Sequence, residues 1–346
     1  MTLIAHNLKC TITKFKLLNI KYAGFKWIST KTYNLLFFGS DRISLKSFRK
    51  VNEFRKKNKT IGRLDLVTTK VLQNRSDIEI YAQEEGIKTV QWPLSRVKDG
   101  DYDLGLIVAF GHLIKEDVLN KFPLGMINIH PSLLPRWRGA APIIHTLLHG
   151  DQITGVTLMK IKANIFDVGE IIDQKKVPVP KDVKLPELTD HLSELGADML
   201  VECLRLLPDS LTRAKPQSSE GVTYARKINK SISKVNWSDM SSIEIYNLYR
   251  AIYGLYPLTT TFRDKQMKLF GAFLSNNQET ADNHIPTGTL EYCDKTNALR
   301  VVCKDKKYIY FKSVRIIGKK EISALDFYNG YIKNMPKEKR NYVVFT

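Results

Sequence analysis

The chain has 346 residues, of which 43% are hydrophobic and 26% charged, so it is long and apolar enough to bury a full core. These values exclude a peptide, a collagen and a wholly disordered chain, and the length predicts two domains. Four widely spaced cysteines without a C-x-x-C pair argue against a disulfide framework and a zinc ribbon, and favour a reducing compartment. No stretch approaches the roughly 18–20 apolar residues of a membrane span, so we expect a soluble protein without a membrane partner.

The net charge of +19 is unevenly distributed. Residues 1–40 contain six lysines and no acidic residue, residues 41–207 contain 25 basic and 22 acidic residues, and residues 208–346 contain 23 and 13. A nearly neutral body followed by a basic tail favours chemistry in the first and attraction to a phosphate backbone in the second. Solubility alone explains the charge equally well.

The amino-terminal segment combines lysine, serine and threonine with scattered apolar residues and has no long apolar core. This composition is typical of an organelle presequence rather than a secretory signal. Residues 1–32 are therefore predicted to be a mitochondrial presequence; a disordered cytosolic arm is the alternative.

Short apolar runs alternate with helical stretches from residue 33 onward. The predicted elements are a strand at Tyr33–Phe38, a helix at 43–57, a strand at Arg63–Thr69, a helix at Ile78–Gly86 and a strand at Asp103–Phe110. This alternation predicts an α/β fold with a Rossmann-like, doubly wound and mainly parallel sheet. Ligands bind such sheets at the carboxyl ends of the strands. The turn after Phe38 lacks the G-x-G-x-x-G and P-loop patterns, so neither NAD nor ATP is expected.

The second half of the chain changes character after a strand at Gly155–Ile161 and a helix at 185–207. Residues 208–225 are polar, contain two prolines and a glycine, and are predicted to be a linker. A helix follows at Ile243–Ile252. Short strands at regular intervals then predict a small β-barrel; they are Leu258–Phe262, Met267–Phe270, Gly288–Tyr292, Leu299–Cys303, Tyr308–Phe311 and Val314–Ile317. The predicted domains are therefore 33–207 and 226–346.

The segment from Gly125 to Ile143, GMINIHPSLLPRWRGAAPI, carries the clearest chemical signal. Alternation within a strand places Asn128 and His130 on one face. An amide can donate to a developing oxyanion, and an imidazole can transfer protons near neutral pH. An ordinary strand end is the alternative interpretation of an isolated Asn-x-His.

A second candidate is Asp167 in the glycine-containing segment NIFDVGE. A carboxylate in such a loop can orient a histidine and stabilise its cationic form. An Asx-turn made by Asp167 is the alternative. His145 and His149 are spaced for one helix face but lack further ligands, so we expect a packed helix and no metal.

The run NIHPSLLPRWRGAAPI, with IVAFG before it and FDVGE after it, resembles the formyltransferase family that uses 10-formyltetrahydrofolate. Downstream segments such as VTYARKINK, RAIYGLYP and GKKEISALDF are similar to the branch of that family whose acceptor is methionyl-tRNA. The resemblance covers about residues 33–335. It implies a catalytic domain, a small OB-like barrel that binds tRNA, and metal-independent formyl transfer to initiator methionyl-tRNA. It further implies a monomeric enzyme in the mitochondrial matrix.

The resemblance also implies roles for individual residues. Asn128 would stabilise the oxyanion, His130 would relay the proton, and Asp167 would orient His130. The residues expected to contact the folate are Phe110, Gly111, Ser132, Leu133, Leu134 and Pro135. Charge and position add the residues expected to contact tRNA, which are Lys70, Arg136, Arg138, Lys227, Lys230 and Lys234. Ordinary surface charge is the alternative for the two arginines and for the lysines of the basic tail.

The sequence departs from the family pattern in one segment and leaves two other functions open. The segment after the second strand is shorter than in bacterial family members and contains only Lys70 and Arg75 as basic residues. A formyltransferase with a small acceptor, such as a glycinamide ribonucleotide or an amino sugar, would share the Asn, His and Asp residues without needing a basic barrel. The second alternative is a binding protein that has lost catalytic activity. The presence of Asn128, His130 and Asp167 argues against it.

Overall fold

The computed structural model describes residues 31–69, 75–277, 279–336 and 343–346. The predicted presequence falls almost entirely outside the described residues, as does Lys70. In the first half the strands are β1 (Tyr33–Phe38), β2 (Ile61–Thr68), β3 (Thr89–Gln91), β4 (Leu104–Val108), β5 (Met126–His130), β6 (Ile153–Lys160) and β7 (Ile171–Pro178). The helices are α1 (Arg42–Lys57), α2 (Asp77–Glu84), α3 (Glu116–Leu119), α4 (Pro142–Leu148), α5 (Leu185–Arg205) and α6 (Asp209–Thr212).

These strands form one sheet in the order β3-β2-β1-β4-β5-β6-β7. The first five run parallel, whereas β6 and β7 are antiparallel to their neighbours. The predicted Rossmann-like, mainly parallel sheet is therefore confirmed. Strand β7, whose residues are exposed or only partly buried, was not predicted.

Strand β1 shows why the sheet is covered on both faces. Leu35 and Phe37 belong to one buried cluster, whereas Leu36 and Phe38 belong to another on the opposite face. This follows from the two-residue period of a strand, and it explains the continuous apolar run. The turn after β1 leads into α1, which begins where the Asp41 carboxylate accepts from the Ser44 N–H at 2.9 Å.

Helix α5 fixes the strand that carries the candidate site. Gly196 lies so close to β5 that a Cβ there would be 2.7 Å from the Ile129 side chain. The side chains on the other edge of α5 form ion pairs with α1, where Lys50 is 2.5 Å from Asp198. Helix α5 therefore packs against β5 on one side and binds α1 on the other, which holds β5 in position in the sheet.

The second half is antiparallel. Its strands are β8 (Leu258–Phe262), β9 (Lys265–Phe270), β10 (Leu290–Cys293), β11 (Ala298–Val302), β12 (Tyr308–Phe311), β13 (Ser313–Ile316) and β14 (Ile322–Ser323). Its helices are α7 (Ser242–Ala251) and α8 (Ala324–Tyr331), with a 3₁₀ turn at Lys230–Ser233. In the described residues the strands pair as β10-β11-β12 and β14-β13-β9-β8. The antiparallel strands expected here are therefore present, and a bridge between Phe273 and Tyr310 connects β12 to the segment after β9.

The two halves pack together within one unit, Thr32–Thr346. The Tyr246 hydroxyl on α7 donates to Asp182 at 2.9 Å, and Arg250 donates to the Val183 carbonyl at 3.1 Å. Buried side chains of both halves form a continuous hydrophobic cluster. Within the described ranges, no helix is long and apolar enough to cross a membrane.

The segment predicted as a linker is bonded to the first half. Lys215 pairs with Ile171, and Tyr224 forms a bridge with Arg138. The 208–225 segment also contains α6. Residues 208–225, called the strap below, therefore form a polar segment that is hydrogen-bonded to neighbouring loops of the first half.

Candidate active site

A cavity of about 550 Å³ lies at the carboxyl ends of β1, β4 and β5. Its lining includes Asp41 and Ile43 at the start of α1, residues 107–114 at the end of β4, residues 128–131 at the end of β5, residues 139–144 before and within α4, and residues 161, 162 and 165–167 after β6. This is the position predicted for the ligand site of a doubly wound sheet.

Strand β5 supplies two polar side chains to the cavity. Asn128 pairs in register with Ile107 of β4, and His130 pairs with Thr157 of β6. Because they are two residues apart, both side chains project from the same face. The His130 side chain is buried, with 3% of the residue exposed.

The two ring nitrogens of His130 have different partners. Nε2 lies 2.9 Å from the main-chain oxygen of Trp137, and Nδ1 lies 3.5 Å from Oδ1 of Asp167. A carbonyl oxygen only accepts hydrogen bonds, so Nε2 must carry a proton. Nδ1 is then the nitrogen that can gain or lose a proton beside the carboxylate.

Asp167 reaches the site from a tight loop. Its backbone is left-handed, with φ +55°, and the residue is 8% exposed. Its Oδ2 accepts from the Gly139 N–H at 2.8 Å, so the carboxylate bonds across the chain instead of within its own turn. The amide of Gln217 donates to the carbonyls of Asp167 and Gly169, both at 2.9 Å, and holds the loop.

Asp41 is a further acidic group in the cavity wall. Burial raises the pKa of its carboxyl, and the hydrogen bonds from Ser44 oppose that rise only in part. No feature of the sequence singles out Asp41, because an acid before a helix is an ordinary N-cap.

The residues expected to contact folate are divided by the structure. Phe110 and Gly111 line the cavity, whereas Ser132, Leu133, Leu134 and Pro135 are absent from its lining. The Ser132 hydroxyl donates to the Arg136 carbonyl at 2.6 Å, and the buried Leu134 donates from its N–H to the Thr157 hydroxyl at 3.2 Å. These four residues lie away from the cavity because the chain turns at Pro131 and folds back on itself.

The residues expected to contact tRNA are also divided. Arg136 forms a bidentate pair with Asp151, at 2.8 and 2.6 Å, and Arg138 donates to the Gln217 side-chain oxygen at 3.1 and 2.7 Å. Both guanidinium groups thus have protein partners. Lys227, Lys230 and Lys234 are exposed.

His145 of α4 and His149, which follows directly after that helix, pack as expected. His145 and His149 stack at 5.8 Å, and both contact the Trp137 ring. Burial lowers the pKa of His145, and the neighbouring His149 contributes to the lowering. Over the part of the chain that the structure describes, no group of three or more His, Cys, Asp or Glu side chains could hold a metal ion.

Comparison with known proteins connects this geometry to a family. Residues 89–204 match the family described as formyl transferase, and residues 227–332 match the formyl transferase C-terminal domain. The chain is 41% identical over 309 residues to a mitochondrial methionyl-tRNA formyltransferase of Bos taurus, covering 87% of this chain and 78% of that protein. It is 34% identical over 232 residues to methionyl-tRNA formyltransferase of Syntrophus aciditrophicus (strain SB), covering 66% and 71%.

Solved structures share the fold. WlaRD, a sugar 3N-formyl transferase crystallised with dTDP and 5-N-formyl-THF, matches with a TM-score of 0.62 at 21% identity, over 83% of this chain and 99% of that one. HypX from Aquifex aeolicus in complex with tetrahydrofolic acid matches with a TM-score of 0.55 at 16% identity, over 88% and 48%.

Proposed function

This chain belongs to the methionyl-tRNA formyltransferase family, and from that premise we propose that it transfers the formyl group of 10-formyltetrahydrofolate to the α-amine of initiator methionyl-tRNA. The observation that carries the proposal is the convergence of Asn128, His130 and Asp167 on one cavity. In this reaction the amine nitrogen bonds to the formyl carbon and the bond from that carbon to folate N10 breaks. The amine loses one proton and N10 gains one, so the exchange is balanced.

Each of the three side chains has a task in that exchange. The Asn128 amide donates to the formyl oxygen as negative charge develops on it. His130 accepts the proton of the amine at Nδ1 and returns it to the departing N10. Asp167, at 3.5 Å, stabilises the imidazolium formed in between.

The donor is proposed to lie between Phe110, Gly111 and the loop that ends at Asp167. Ile165 and Phe166, which are about half exposed, line this side of the cavity and offer apolar surface to an aromatic ring system. Main-chain groups in the loops would recognise the pterin.

We propose that the second half, 226–346, binds the tRNA backbone while 33–207 carries the chemistry. Lys234 lies opposite Thr259 on β8, Thr259 opposite Lys268 on β9, and Lys268 opposite Arg315 on β13. Residues in register share one face of a sheet, so this row aligns basic side chains across neighbouring strands. Lys227 and Lys230, which precede Lys234 in the chain, are also exposed.

Replacement of Lys227, Lys230 and Lys234 together by alanine tests this role. We expect the KM for charged tRNA to rise several-fold and the slope of log affinity against log salt to become shallower by up to about 0.9 per lost contact. Affinity for the folate should not change. A triple variant at Lys319, Lys320 and Lys333 removes equal charge elsewhere in the same domain; an equal loss there would show that only net charge matters.

The function itself is tested with formyl-labelled 10-formyltetrahydrofolate and three acceptors: charged initiator tRNA, glycinamide ribonucleotide and an amino sugar nucleotide. We expect label on the aminoacyl-tRNA and none on the small amines. Transfer to a small amine alone would establish the second acceptor class and refute the proposal. Asn128→Ala should abolish most transfer in protein with an unchanged thermal transition.

We propose that the enzyme acts as a monomer in the mitochondrial matrix. The mitochondrial relatives support the organelle. Residues 1–32 would serve as the presequence. Fused to a fluorescent reporter, they should direct it to the matrix, and their deletion should leave formyl transfer intact. Reporter retained in the cytosol would refute the assignment.

A further inference from the structure

The main-chain conformation of Trp137 is unusual for a large residue. Its φ is +63°, in the left-handed region that bulky side chains rarely occupy. Such strain persists only where the surroundings impose it, and it is concentrated at functional sites. Here the conformation places the Trp137 carbonyl 2.9 Å from Nε2 of His130.

The Trp137 indole is held by a hydrogen bond and by ring contacts. Its Nε1–H donates to Oδ2 of Asp151 at 2.8 Å, and the Arg136 guanidinium, itself bound to Asp151, lies 4.2 Å from the ring centroid. His149 contacts the ring with a centroid distance of 4.5 Å. The indole is thus bonded at its edge and packed against a cation and an imidazole.

The main chain of Trp137 is held as well. Its N–H donates to the Thr223 hydroxyl at 2.9 Å, and the next residue, Arg138, donates from its N–H to the Thr223 carbonyl at 2.9 Å. Thr223 therefore holds the main chain on either side of the Trp137 carbonyl and Asp151 holds the indole, so the direction of the carbonyl depends on both sets of contacts.

Resting on the proposed function, we propose that Asp151 is a positioning residue for formyl transfer. Through the Trp137 indole it keeps the Trp137 carbonyl on Nε2 of His130. That bond selects the tautomer whose Nδ1 lone pair faces Asp167, which is the form able to accept the proton of the amine. Asp151 does not line the cavity, so its effect must pass through Trp137.

The neighbouring residues make this assignment specific. Asp151 is bonded to both Arg136 and the indole, so its loss leaves a cation and a buried N–H without partners.

Trp137→Phe and Asp151→Ala test the proposal, with Trp237→Phe as the matched control. Trp237 is equally buried and its indole donates to Thr260 at 2.9 Å, but it lies in the second half of the chain. We expect each test variant to lower kcat by roughly 10- to 100-fold with little change in the KM for folate, as for loss of one hydrogen bond to a charged group. The control should lose thermal stability but retain kcat.

The ¹⁵N chemical shifts of His130, assigned by comparison with His130→Gln, provide a readout independent of activity. In the wild type the neutral ring should be protonated at Nε2, and both test variants should show a mixture of tautomers. Asp151→Asn, whose side-chain oxygen still accepts the indole N–H, should restore the wild-type tautomer and much of the rate. An unchanged tautomer in Asp151→Ala and Trp137→Phe would overturn the inference even if formyl transfer by the wild type is confirmed. If Asp151→Ala does not fold, Trp137→Phe decides, because it removes only the indole donor.

Discussion

Replacing Asp167 by asparagine should lower the rate of formyl transfer by roughly three to four orders of magnitude. The two charges are 3.5 Å apart once His130 is protonated, which corresponds to roughly 5 kcal/mol at an effective dielectric constant of about 20. At about 1.4 kcal/mol per factor of ten, this gives between three and four orders of magnitude. The loss is comparable with the roughly 10⁴-fold effect of the same substitution in a Ser–His–Asp triad.

The structure also indicates how Asp167→Asn fails. The side-chain oxygen of the variant would replace the carboxylate oxygen that accepts from Gly139, which turns the amide –NH₂ toward Nδ1 of His130. An N–H donated to the Nδ1 lone pair blocks the position that takes up the proton.

The assay is a single-turnover measurement of label transfer to charged tRNA, with thermal unfolding as the test of integrity. Asp173→Asn, an exposed carboxylate on the nearby strand β7, is the matched control and should retain the wild-type rate. A folded Asp167→Asn variant within fivefold of the wild-type rate would refute the electrostatic reasoning and leave Asp167 with a role in the loop only.

Three further predictions concern stability and domain organisation. Gly139→Ala should destabilise the fold by about 1–3 kcal/mol, because φ is +121° and the new Cβ would lie 2.7 Å from the Ala225 carbonyl oxygen. In the control Gly330→Ala in helix α8 the new Cβ meets no atom within 4 Å, so equal melting temperatures of the two variants would contradict this prediction. Asp41→Asn should raise the melting temperature at pH 7, because burial raises the pKa of the Asp41 carboxyl and its charged form therefore opposes folding. The gain should vanish at pH values where the wild-type carboxyl is neutral in both the folded and the unfolded state, and a gain independent of pH would contradict burial of the charge as the cause. Truncation after residue 207 should abolish folate-dependent formyl transfer to any amine, since the bonds from residues 215–225 to the active-site loops are lost; full activity of the truncated chain in the label assay would disprove this.

Local periodicity was sufficient to predict the parallel core of the sheet, without β3 and β7, and to place Asn128 and His130 on one face. Both predictions depend on the two-residue repeat of a strand, which β5 obeys without interruption. The helix over 43–57 was likewise predictable from its apolar spacing, and the structure places it at Arg42–Lys57. Such features require only neighbours in sequence.

Other features depend on tertiary contacts and could not be predicted in this way. Periodicity identifies strands β8 to β13 but does not encode which strands pair, so the order β14-β13-β9-β8 had to come from the structure. The Ser132–Pro135 stretch follows the histidine directly and was expected at the cavity. Its hydrogen bonds instead close it against the Arg136 carbonyl and Thr157.

The hydrogen bonds of Gln217 and Thr223 show what composition alone does not reveal about the strap at 208–225. Polar residues with two prolines are typical of a linker, yet Gln217 holds the Asp167 loop and Thr223 holds the Trp137 peptide. These bonds span 50 and 86 residues of sequence, and no local pattern distinguishes a glutamine or threonine that is bonded to a distant loop from one that is solvated. The partners of both ring nitrogens of His130 are therefore held by residues that follow position 207 in the chain. The domain boundary predicted near residue 207 from composition thus divides residues that hydrogen bonds join in the active site.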